Sequence, residues 1–300
     1  MKDKQFFEAE IGPKTLKIQI GGLADQCSGS CLCQMGNTSV LVTSQMGNVG
    51  GGMGFFPLTC DYEERFYAAG KILGSRFVRR EGRPTADATL TARMIDRAIR
   101  PLFPASFKRE TQVIATCLSW DGQDDPASLG LLGASIALSV SAMHWQGPVA
   151  VVRVAKANGD FVLYPSYEQR EQASLDLVLA AVEQNGEILI NMIEAKAEEL
   201  EESVIIEAYD FALPYLKQII DFQKEIIQKA GQPKITTEEL KVDSSLESKI
   251  RGFLKGKLEP AIFQADKIKI QADLEQIKTE LLEMVKQEFG EDKLTDAKNI

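Results

Sequence analysis

Between Arg65 and Arg109 the chain carries eleven lysines and arginines against three acids, an excess of about +8 in a protein whose formal net charge is −9. The other residues therefore sum to about −17. Such a segment restricts what the chain can fold into, because clustered guanidinium groups repel unless an anion or paired carboxylates hold them together. The pattern predicts a site for a polyanion or a phosphate.

Within this segment Pro84 and Thr85 open a helix and Pro101 stops it, which predicts a helix over 84–100. Arg93, Arg97 and Arg100 fall at i, i+4 and i+7 and stack on one face. Ala88, Ala92, Ile95 and Ile99 lie opposite and face a core. Asp96 is placed to pair with Arg100 one turn on. The preceding loop, GSRFVRREGRP, adds Arg76, Arg79, Arg80 and Arg83 beside Phe77. An aromatic ring among guanidinium groups suits single-stranded nucleic acid, since bases stack on the ring and the forked donors take phosphates. A plain core role for Phe77 is the other reading.

The acidic balance argues against general coating of DNA, which needs a broad basic surface. No GK[ST] follows the glycines at 47–54, so they are not a P-loop; they read as a hairpin tip, with a ligand-cradling loop as the lesser reading. Cys27, Cys31 and Cys33 sit in a strand-like run without a CxxC pair, and read as small buried residues rather than a zinc site. The single histidine, His144, leaves no Ser/His/Asp set. No run of eighteen apolar residues occurs, and the first residues lack a signal-peptide core, so a cytoplasmic location and no membrane association are expected.

Turn signals divide the chain. Gly12-Pro13, Gly36-Asn37, Asn158-Gly159 and Asn185-Gly186 each separate two strand-like runs. A buried helix is predicted through Leu129–Met143, and helical periodicity with dense charge runs over 196–230. Gly231-Gln232-Pro233 then breaks the pattern. The expected organisation is a first domain over 1–230, in halves 1–145 and 146–230, and an all-helical domain over 236–300, the front part of a longer polypeptide. The order of elements gives an α+β or βαβ-type fold.

The run FFPLTCDYEERFYAAGKILGSRFVRREGRPTADATLTARMIDRAIRPLFP resembles the amino-terminal ribonuclease PH-like core of the bacterial polynucleotide phosphorylase family. The resemblance continues through VIATCLSW, LGASIALSVS and LDLVLAA into the helical region. It implies an α+β ribonuclease PH-like (ribosomal protein S5 domain 2-like) βαβα core followed by an all-α domain. The implied activity is phosphate-dependent 3′-to-5′ exoribonuclease action in mRNA degradation, a polyribonucleotide nucleotidyltransferase reaction with inorganic phosphate as co-substrate. The family has a second ribonuclease PH-like core that carries the catalytic aspartates, a lysine, a serine run and the metal, here expected to be Mg2+. Where that active core has Asp, Asp and Lys, this chain has Arg170, Asp176 and Val178, and at the serine run it has Asp125-Pro126-Ala127. The resemblance thus implies no catalytic residue and no metal ligand in this chain, with Asp176 structural. It assigns Phe77, Arg79, Arg80 and Arg83 to gripping single-stranded RNA at the pore of a homotrimer. Arg93, Arg97 and Arg100 would position RNA or phosphate, and RNA degradosome partners are implied. A non-catalytic RNA-binding ring or scaffold subunit is the alternative.

Overall fold

The computed structural model describes residues 3–49, 55–72, 74, 82–235, 244–294 and 297. Two compact units divide it, Met1–Thr237 and Glu238–Ile300.

The first unit opens with β1 (Gln5–Ile11), β2 (Lys14–Ile20), β3 (Gly29–Met35) and β4 (Thr38–Val49), a meander of antiparallel neighbours. Its two tight turns suit their residues. Gly12 and Gly36 take φ of 57° and 56°, a left-handed start that L side chains disfavour. At Gly36 a Cβ would also lie 2.4 Å from a carboxylate oxygen of Asp124. Alternation along β3 buries Cys31 and Cys33, whose sulfurs lie 3.7 Å apart while the Cys31 thiol donates to the Gly133 carbonyl at 3.2 Å.

Next come β5 (Leu58–Glu63), α1 (Ala86–Ile99) and β6 (Arg109–Ser119). β5 pairs with β6 in parallel, and β6 lies between β4 and β5, giving the order β1-β2-β3-β4-β6-β5. This corrects the reading of the glycines at 47–54 as a hairpin tip. β4 runs on to Val49, and the strand that follows the glycines does not pair with β4. The reason is the crossover: parallel strands need an intervening helix, and α1 supplies it. Residues 50–54 of that run lie outside the described residues.

The buried helix α2 (Pro126–Val140) packs against β3 and β4 and also touches β7 (Val149–Ala157) of a second sheet. β7 turns through Asn158-Gly159 into β8 (Asp160–Leu163); after the short α3 (Tyr167–Glu171), β9 (Leu175–Gln184) turns through Asn185-Gly186 into β10 (Glu187–Ala197). All four turn residues have positive φ, as a two-residue hairpin of the primed type requires. The order of this sheet is β10-β9-β7-β8. α4 (Glu202–Ala230) covers it with Ala208, Ala212, Leu216, Ile219, Phe222 and Ile226. The helix begins later than the charge pattern suggested, because residues 196 and 197 complete β10. Between α2, β7 and α4, Ser135 and Gln223 are fully buried and satisfied: the Ser135 hydroxyl donates to Gln223 at 2.6 Å and accepts from Val149 N–H at 2.8 Å, and Gln223 donates to the Val149 carbonyl at 2.8 Å.

The second unit contains α5 (Ser244–Leu254), α6 (Leu258–Ile262) and α7 (Lys267–Phe289) around a small core of Leu246, Ile250, Leu281, Val285 and Ala297. Among the described residues, no helix is long and apolar enough to cross a membrane.

Candidate nucleic-acid interface

The frame of the cationic segment is α1. Thr85 caps it, its hydroxyl accepting from Ala88 N–H at 3.0 Å and donating to Glu64 at 2.8 Å. Ala88, Ile95, Ala98 and Ile99 are buried, and Ala92 packs against the same core. The outer face carries Arg93 and Arg97, both exposed and one helical turn apart. Arg83, just before the helix, is also exposed. Neither Arg83 nor Arg93 has an ion-pair or hydrogen-bond partner among the described residues. Arg76, Phe77, Arg79 and Arg80 lie outside the described residues.

Arg97 is held at the β10 edge. Its Nη2 pairs with Glu194 and lies 3.4 Å from the Ile193 carbonyl and 3.3 Å from Met192 Sδ. Arg100 departs from the single-face reading altogether. It takes Asp96 with two nitrogens, at 3.0 and 2.6 Å, the pairing that the i,i+4 spacing predicts. Its remaining bonds run to the carbonyls of Phe56 at 3.3 Å and Leu58 at 3.1 Å, and it stands 5.9 Å from the centre of the Phe56 ring. Four contacts to the fold nearly exhaust a guanidinium with five N–H donors. Asp96 raises the Arg100 pKa further. These contacts place Arg100 at the open edge of β5, whose outer carbonyls have no strand partner among the described residues.

A second charged cluster joins the two sheets. Asp125 caps α2, accepting from Ala127 N–H at 3.2 Å and from the Ser128 hydroxyl at 3.0 Å. Its other bond is to Arg153 Nη1 at 2.8 Å. Arg153 reaches Asp176 through Nε and Nη2, each at 2.7 Å, and Arg170 adds a third donor to Asp176 at 3.1 Å. These side chains are 11–20 % exposed. Burial opposes the charge on Asp176, yet the hydrogen bonds and charges of Arg153 and Arg170 hold its carboxyl below the usual range. A guanidinium thus stands between the two carboxylates, and two cations balance two anions. This donor set does not fit a divalent ion, and among the described residues no group of three His, Cys, Asp or Glu could hold one. Sequence reasoning passed over Arg153. Its signal was the arginine in the middle of VAVVRVAKA, a mostly buried strand where a charge demands carboxylate partners.

Residues 13–143 match domain 1 of the 3′ exoribonuclease family, RNase PH, and residues 147–214 match its domain 2. The chain belongs to this family. Among ribonuclease PH family relatives, it is 40 % identical over 289 residues to the polyribonucleotide nucleotidyltransferase of Heliobacterium modesticaldum, covering 96 % of this chain and 40 % of that protein. It is 40 % identical over 287 residues to that of Listeria welshimeri, covering 95 % and 39 %. With that of Oceanobacillus iheyensis it shares 38 % over 301 residues, covering 100 % and 42 %. The chain therefore spans about 40 % of the length of these relatives. The fold is ribonuclease PH-like. It superposes on the crystal structure of rice (Oryza sativa) Rrp46 with a TM-score of 0.57 at 11 % identity, covering 76 % of this chain and 95 % of that one.

Proposed function

We propose that this chain is the RNA-gripping amino-terminal part of a phosphate-dependent 3′-to-5′ exoribonuclease. The observation that carries the reading is that Arg83 and Arg93 are exposed and without an ion-pair partner among the described residues of a ribonuclease PH-like fold, while Asp125 and Asp176 are neutralised from within. In the reaction, phosphate attacks the terminal phosphodiester in line, so two anions must approach each other. Fixed guanidinium groups offset that repulsion and hold the strand while the attack is aligned. Here Arg83, Arg93 and Arg97 hold phosphates, and Phe77 adds a stacking ring and Arg79 and Arg80 add their forks. Catalysis, the serine run and a site for Mg2+ belong to a second core on a longer polypeptide, and the working assembly is a homotrimeric ring in the cytoplasm serving mRNA turnover, where degradosome proteins are further partners.

The charge-balanced Asp125–Arg153–Asp176–Arg170 cluster also favours a second reading, a scaffold subunit that binds RNA beside an active partner. The coding sequence downstream separates the two: a second core with aspartates and a serine run supports the first, and a stop codon directly after this chain supports the scaffold. The RNA reading itself is tested by titrating a labelled oligoadenylate against the chain over a salt series. Removing Arg83 and Arg93 together should weaken binding and flatten the log–log slope by about 0.7 for each lost phosphate contact. An unchanged slope would count against both residues.

A further inference from the structure

Arg97 differs from its neighbour Arg93 in one respect that bears on RNA. Both point outward from α1, but Arg97 already has a carboxylate on it. Glu194 stands on β10, the edge strand of the four-stranded sheet, and its side chain is 58 % exposed against 53 % for Arg97. Every contact made by Arg97 to a described residue runs through Nη2, to Glu194, Ile193 and Met192. The rest of the guanidinium fork is uncommitted among the described residues. Resting on the reading of Arg97 as an RNA contact, we infer that Glu194 is a positioning residue for it: a carboxylate that fixes the guanidinium at the β10 edge and yields it to each passing RNA phosphate.

Three physical points support the exchange. An ion pair with both partners half exposed is held weakly, so displacing it is cheap. A phosphate oxygen accepts a charge-assisted hydrogen bond from Nη2 as the Glu194 carboxylate does, so the incoming group takes the same donor. The pair also bridges α1 and β10, so the cation is presented from two elements instead of swinging on one long side chain. The consequence is a grip that is aimed but moderate, since a phosphate that takes the whole guanidinium fork of Arg97 must part Nη2 from Glu194. The released carboxylate takes back a counter-cation, which makes the salt dependence of binding shallower than the number of phosphate contacts alone would give.

The experiment uses a fluorescent oligoadenylate and four forms of the chain: parent, Glu194→Gln, Arg97→Ala and the double variant, each over a salt series. Glu194→Gln should tighten binding at low salt by about two- to five-fold. It should also steepen the log–log slope by somewhat less than one unit. Arg97→Ala should weaken binding, and in its background Glu194→Gln should add nothing. If Arg97→Ala weakens binding while Glu194→Gln changes neither affinity nor slope, the positioning role is overturned and the RNA reading stands. A gain from Glu194→Gln that persists without Arg97 also overturns it, since Glu194 then acts as a general repulsive charge. If Arg97→Ala binds as the parent does, the RNA role of Arg97 and the positioning role fall together.

Discussion

Arg153 reaches from β7 to a carboxylate on α2 and another on β9, so one side chain ties the six-stranded sheet's helix to the four-stranded sheet. Removing it leaves Asp125 and Asp176 shielded from water with too few donors. Arg153→Met should therefore cost about 3–5 kcal/mol, read by denaturant unfolding. A change within experimental error would show that the cluster is solvated. Asp121 works by the same logic without a cation. Burial opposes its charge, but it accepts from the N–H groups of Asp124, Gln123 and Asn37 and from the Thr38 hydroxyl, and its pKa falls from 3.8 to about 2. With a folded pKa below the unfolded value, its contribution is complete above about pH 4 and is lost as pH falls through about 2. Asp176, also lowered, acts in the same direction. Acid titration of the unfolding free energy should show this loss in the parent, and Asp121→Asn should flatten it.

The turns between strands were legible because their chemistry is local. Gly12-Pro13, Gly36-Asn37 and the two Asn-Gly pairs dictate backbone handedness, and the strands on either side have no choice but to meet. The partner of β5 was not legible, because whether a strand after a glycine run pairs with its predecessor or crosses over depends on packing of a helix that comes later in the chain. α1 was legible from its prolines and its apolar spacing, and two of its three arginines do share an outer face. Arg100 turned away because it stands at the last turn, beside the open carbonyls of β5, where Asp96 fixes it. Spacing alone does not distinguish a guanidinium facing solvent from one spent on a sheet edge. The burial of α2 was evident from its composition, but its tolerance was not. A Cβ on Gly133 would lie 2.4 Å from a methyl of Val42 and 3.1 Å from Cys33 Sγ. Gly133→Ala should accordingly destabilise the first unit by about 1–3 kcal/mol through overpacking, despite the better helix propensity of alanine. A stabilised variant in thermal melts would show that β4 gives way freely.

Charge separates the roles of this protein's parts. The cationic segment is embedded in an acidic chain, and the acids that might have formed a reaction centre are instead matched by Arg153 and Arg170. Family membership was readable from the long motif run around REGRP, whereas the internal neutralisation of Asp125 and Asp176 was not, because its central cation lies far from both in sequence. Under the proposed function this chain holds RNA and does not cut it. Purified chain is incubated with a labelled oligoadenylate, inorganic phosphate and Mg2+, and both retention of the RNA and release of nucleoside diphosphate are followed. Salt-sensitive retention with no diphosphate formed is the expected result; steady release of nucleoside diphosphate by the chain alone would overturn the RNA-holding role.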